Sequence, residues 1–119
     1  MNIIFGQDIQ DIKDRYVILE LDTFAAANGE QQTAYCLIES IPESDWPVIE
    51  TYRQAHHDLM AAYRAQNWEY CRHTIDGLHG RWNGEMDTFY EDLAARVAFY
   101  TLHPPGEDWT GVRSIQDLQ

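Results

Sequence analysis

A chain of 119 residues that is 45% hydrophobic and 13% aromatic is long enough for one core and too apolar for a disordered segment. Its formal net charge of −12 sets up a field that repels phosphate backbones and anionic lipid, so direct nucleic-acid binding and membrane-surface binding are disfavoured. No run approaches the roughly 18 apolar residues of a membrane span.

The start, Met1 to Asp8, has no basic cluster and too short an apolar run for a signal peptide. A cytoplasmic location is therefore expected, with Cys36 and Cys71 as reduced, buried thiols. Residues 7–15 read as a short polar helical turn that directs Ile9 and Ile12 inward. Tyr16 to Phe24 is rich in β-branched and aromatic residues and alternates in its second half. Leu19, Leu21 and Thr23 fall on one side, Glu20, Asp22 and Phe24 on the other, as in a half-buried strand. Asn28-Gly29 supplies the turn, and Thr33 to Ile41 the second strand of a β-hairpin. Ile3 to Phe5 is short enough only for a third, minor strand. An isolated hairpin is marginal in water, so this one is expected to lie on other elements.

Pro42 ends the second strand, and Glu43 to Pro47 opens a helix, proline being tolerated in the first turn. Val48, Ile49, Tyr52, His56, Leu59, Met60 and Tyr63 recur with helical period to about Gln66. Asn67 caps a second helix with Trp68, Cys71, Ile75 and Leu78 on one face. Gly77, Gly80 and Gly84 close that helix and leave Arg81-Trp82 in a glycine-flanked connection. Thr88 to Glu91 has the form of a capping box, although Met86 points to an earlier start. Phe89, Tyr90, Leu93, Val97 and Tyr100 stripe the third helix, which Pro104-Pro105 stops. The remaining tail is expected to be irregular, with Trp109 anchored against the helices.

Tyr63 to Arg72 resembles the turn between the two helices of a tetratricopeptide repeat, with Trp68 in the aromatic place and Cys71 in the small one. Asp58 and Leu59 stand where that family has Leu-Gly, and no second copy follows at a period near 34 residues. Over residues 59–112, the order Tyr63, Trp68, Cys71, Asp87, Tyr90, Arg96, Pro104-Pro105 and Asp108-Trp-Thr-Gly-Val112 resembles the helical tail after the catalytic domain of bacterial adenylate/guanylate cyclases. That resemblance implies a helical packing unit without catalytic residues. The whole chain is similar to short uncharacterised proteins of marine cyanobacterial phages, which would place it in the host cytoplasm.

The imidazoles invite a metal reading. His56 and His57 are neighbours, so on a helix they point about 100° apart and cannot grip one ion together. His56 belongs to the apolar stripe and is expected to be buried and hydrogen-bonded, with His57 toward solvent. His73, Asp76 and His79, at i, i+3 and i+6, sweep roughly 120° of helix surface, so the outer two splay apart. They read first as a polar face and second as the ligands of a small metal-dependent enzyme, with His56 as a further member. Cys71 on an apolar face stays protonated and inert. No nucleophile elbow or phosphate loop occurs, and no residue is assigned a catalytic role.

The expected protein is thus a single α+β domain: an N-terminal β-hairpin region (1–44) packed on a three-helix region (45–103) whose first two helices form a tetratricopeptide-like hairpin, and a C-terminal tail (104–119). No cofactor is assigned. The expected function is non-catalytic protein–protein interaction, with a basic protein partner steered by acids on the hairpin, or self-association as a homodimer. Trp46, Trp68, Trp82 and Trp109 read first as packing residues that close the ends of the helical layer; if Trp82 is exposed, it and Arg81 are the candidate partner contacts, because Trp and Arg dominate interface hot spots.

Overall fold

A computed structural model describes residues 2–5, 17–38, 41 and 43–114. It shows an α+β fold: a three-stranded antiparallel sheet followed by three helices, with a two-residue strand of the tail added at the end. The strands are β1 (Asn2–Phe5), β2 (Val17–Ala25), β3 (Gln31–Ile38) and β4 (Arg113–Ser114). Their order in the sheet is β1-β3-β2-β4, with β4 parallel to β2 and the other pairs antiparallel. The helical turn expected over 7–15 and the stop at Pro42 lie outside the described residues.

The β2–β3 hairpin turns at Ala26–Glu30, where the Ala26 amide donates to the Glu30 carbonyl at 2.8 Å and Gly29 takes a φ of 88°. The strand alternation expected of β2 breaks midway. Glu20 pairs with Tyr35 and Thr23 with Thr33, so Leu21 and Asp22 together oppose Ala34. This β-bulge turns both Leu21 and Asp22 inward and reverses the faces beyond it. Thr23 now lies beside Thr33, hydroxyl to hydroxyl at 2.8 Å, and Phe24 packs against the core rather than falling with Glu20.

A six-residue 3-10 turn (Glu43–Val48) carries Pro47 and leads into α1 (Ile49–Arg64). Gln66, at a φ of 62°, reverses the chain into α2 (Trp68–Leu78), whose first turn is capped as expected: the Asn67 side chain accepts from the Tyr70 amide at 3.3 Å. Helix α3 spans Asp87–Leu102. Its start precedes the expected capping box, and Asp87 instead accepts from the Gly80 amide at 2.7 Å, tying the loop to the helix.

Leu19, Cys36 and Ile38 of the sheet, Leu59, Met60 and Tyr63 of α1, Cys71, Ile75 and Leu78 of α2 and Tyr90, Leu93 and Val97 of α3 are all buried in one core. Both cysteines are buried thiols, and burial pushes Cys71 up to about 11, so it carries no thiolate near neutrality. In the tail, Trp109 sits at 5.0 Å from the Tyr63 ring, 5.5 Å from Trp68 and 5.3 Å from Tyr100, the anchor expected of it. The tail is not wholly irregular, since β4 adds to β2 through Phe24 and Ala25.

Candidate functional site

The sequence-predicted residues do not form one site. His56 is buried, as expected, and both ring nitrogens are used: Nε2 lies 2.6 Å from the Glu20 carbonyl and Nδ1 2.9 Å from the Tyr90 hydroxyl. A carbonyl only accepts, so Nε2 carries the proton and Nδ1 accepts from Tyr90. Burial, reinforced by His57, pushes His56 down to about 4 and keeps it neutral. The ring thus spends both its nitrogens on fold contacts, one of them tying α1 to a carbonyl of β2.

His73 and Asp76 are exposed on α2, while His79 turns to α3, its Nε2 3.2 Å from Glu91 and 4.0 Å from Asp87. Among the described residues, no three side chains of metal-ligand type come together. Trp82 and Arg81 separate. Arg81 is exposed, its guanidinium 5.2 Å from the Tyr52 ring centroid. Trp82, expected as a partner contact if it faced solvent, is 2% exposed and part of the core, 6.1 Å edge-on from Tyr52. The cause is backbone conformation: Trp82, Asn83 and Gly84 take φ values of 55°, 55° and 78°, a left-handed turn that carries the indole inward. The glycine flank signalled a flexible loop but not this handedness.

The two acids of β2 are also committed inside the fold. Glu20 pairs with Arg64, and Asp22, 9% exposed, receives a two-pronged hydrogen bond from Arg96 at 2.8 and 3.1 Å. Arg96 also reaches Asp92 at 3.0 Å, and Arg113 of β4 approaches Asp22 at 3.8 Å. Burial alone would weaken the charge on Arg96, but Asp22, Tyr63 and Asp92 outweigh it and raise its affinity for the proton. Glu20 and Asp22 are therefore committed to ion pairs, whereas Glu30 at the hairpin turn is exposed.

Two sizeable hollows among the described residues border the sheet. One, of about 400 Å³, lies between Ile18, Glu20 and Tyr35 of the sheet and Glu50, Arg53, Gln54 and His57 of α1. Several of its polar groups already have partners: Arg53 pairs with Glu50 at 2.9 Å, and Gln54 donates to Asp58 at 2.9 Å. The other, of about 430 Å³, is predominantly apolar. It lies on the core-facing side of the sheet, because Ile3 and Phe5 sit directly opposite Cys36 and Ala34 in the β1–β3 register. Ile3, Phe5, Leu21, Phe24, Ala34 and Phe89 supply its apolar surface, while Asp22, Asp92 and Arg113 bring the charge network to its margin. Ile3 is 56% and Phe5 39% exposed, although both face the same way as the core. An apolar hollow with a few convergent polar groups is the usual form of a binding site.

The flanking strand adds a second kind of valence. β1 is the outer strand of the sheet beside β3, so among the described residues its far edge has no partner strand. The stretch Asn2-Ile-Ile-Phe5 carries neither charge nor proline, the devices that normally blunt an edge. The opposite flank is covered, by β4 and by the His56 contact from α1. This site was missed at the sequence level because its parts come from β1, the bulge, β3, α3 and the tail. The readable signal was an uncharged apolar triplet at Ile3–Phe5 in a strongly acidic chain.

Compared with protein-family models, with curated proteins and with solved structures, the chain finds no match.

Proposed function

We propose that this protein is a small, non-catalytic protein-interaction module that binds an extended, apolar segment of a basic partner along β1 and in the adjoining groove. The observation that carries the reading is an unblunted sheet edge whose Ile3 and Phe5 also begin an apolar hollow that runs across the sheet to Phe24. Strand addition gains its affinity from main-chain hydrogen bonds and its selectivity from alternate side chains entering a pocket. A segment added to β1 would present every second side chain beyond Ile3 and Phe5, toward Phe89 and the Asp22–Arg96–Arg113 network. The net charge of −12 favours a positively charged partner through its long-range field. The α1–α2 turn, with Trp68 and Cys71 in the aromatic and small places, supports a tetratricopeptide-like reading of that hairpin as a packing unit.

The test is selection from a random peptide library displayed on the full chain, repeated on Phe5→Lys. A lysine on an edge strand opposes strand addition, and at a part-exposed position it leaves the core intact. The expected result is enrichment of peptides with alternating apolar side chains flanked by Lys or Arg, their affinity for Phe5→Lys at least about tenfold weaker, or ~1.4 kcal/mol. Melting temperatures of the two proteins should agree. Selected peptides that bind Phe5→Lys as tightly as wild type would remove β1 and the groove from the account.

A further inference from the structure

The charges at the margin of the apolar hollow are unevenly matched. Arg96 closes on Asp22 with two hydrogen bonds, at 2.8 and 3.1 Å, and Arg113 approaches the same carboxylate at 3.8 Å. Asp92 keeps a single contact, its Oδ2 3.0 Å from Arg96, and its side chain is 60% exposed. Among the described residues, its other oxygen, Oδ1, accepts no hydrogen bond. The two acids and two arginines cancel formally, but both guanidiniums gather at buried Asp22 and the outer margin is left to a carboxylate.

Thr88 stands one helical turn before Asp92 on α3, exposed, with no hydrogen-bond partner for its hydroxyl among the described residues. Residues four apart share a helix face, and both of these line the hollow. Its apolar floor, which includes Leu21 and Phe89, is thus joined to two unused acceptors on the α3 side. Lysine and arginine have the matching form: an aliphatic stem that lies on apolar surface and a charged head that stays at the water boundary. A purely aliphatic occupant would cover Asp92 without pairing it, and an acidic one would meet a carboxylate in a field of net charge −12.

We propose that the hollow seats one lysine or arginine side chain of the partner, its stem against Phe5 and Phe89 and its head on Asp92 Oδ1 and the Thr88 hydroxyl. This rests on strand addition at β1 and gives the partner's basic character a fixed position. Side chains alternate along a strand, so the seated residue lies beside Phe5, two positions from the side chain that meets Ile3. An arginine fork reaches both acceptors at once, so arginine should outrank lysine there. Basic residues elsewhere in the segment act only through the long-range field.

The probe is the tightest peptide from the display selection, synthesised with capped ends and titrated calorimetrically against the full chain. Each arginine is replaced in turn by citrulline and each lysine by norleucine, and every peptide is measured on wild type, Asp92→Asn and Phe5→Lys at low and high sodium chloride. One basic position should lose about tenfold on wild type when neutralised and less than about twofold on Asp92→Asn. That loss should persist at high salt, while the effects of the other basic positions fade. Asp92 is exposed and Asn keeps its shape, so the melting temperature of Asp92→Asn should stay close to that of wild type. Equal losses on wild type and Asp92→Asn at every position would overturn the proposal, and strand addition would still stand if Phe5→Lys weakens binding. Peptides indifferent to Phe5→Lys would overturn strand addition, and the seat with it.

Discussion

His56 shows how one side chain can look functional in sequence and be spent on the fold. Its two hydrogen bonds tie α1 to a β2 carbonyl and to Tyr90 of α3, 36 and 34 residues away in the chain. The bond accepted from Tyr90 needs the neutral ring, and burial disfavours the charged one. The folded value of about 4 lies below the ordinary value of 6.5, so between those pH values the unfolded chain binds the extra proton. The stability His56 provides is fully present above pH 6.5 and is lost as pH falls toward 4, by about 3 kcal/mol. Urea unfolding at pH 7 and pH 4.5 should show wild type losing more stability than His56→Gln between the two. Equal losses would place the acid sensitivity elsewhere. Arg96 makes a similar case. Its guanidinium joins β2 to α3 across 74 residues through Asp22. Replacing Arg96 with Met takes the two-pronged partner from the buried Asp22 carboxylate, leaves it Arg113 at 3.8 Å, and should cost about 3 kcal/mol. The double variant Asp22→Asn/Arg96→Met should cost less than the two single losses combined. Additive losses in denaturant titrations would mean the pair is not coupled.

At the scale of elements, helices and strands were legible because their apolar periods are long and their ends marked: Asn67 caps α2, and Pro104 follows α3. The bulge in β2 was not legible. A doubled residue at Leu21-Asp22 leaves Leu19, Leu21 and Thr23 readable as simple alternation, and only the partner strand reveals the slip. Trp82 was misplaced for a related reason, since Arg-Trp-Asn-Gly says nothing about a left-handed turn until the core that accepts the indole is present. β4 was missed because two residues carry no periodicity. Its approach to β2 passes through Gly111, at a φ of 82°, where an added Cβ would stand 3.3 Å from Arg64 Cγ and 3.7 Å from Tyr63 Cε1. Gly111→Ala should therefore cost about 1–2 kcal/mol from the left-handed backbone alone. Thermal melts that leave Gly111→Ala equal to wild type would show that the tail does not hold this path.

For the whole molecule, the decisive feature is asymmetry between the two flanks of one sheet. The β2 flank is closed by β4, by His56 and by the Arg96 and Arg113 pairs on Asp22. The β1 flank presents an uncharged strand and an apolar groove between sheet and α3. Periodicity could not expose this difference, because it depends on strand order: β3 lies between β1 and β2 although it follows both in sequence. The central claim concerns the β1 flank, and the most direct measurement is amide chemical-shift mapping of a library-selected peptide on the isotope-labelled chain. The account predicts shifts concentrated at residues 3–5, at Ala34 and over 88–92, with slowed amide exchange in β1 as its free edge acquires a partner strand. Shifts confined to the Tyr35–Arg53–His57 hollow or to the exposed side of α2, with β1 unmoved, would contradict it.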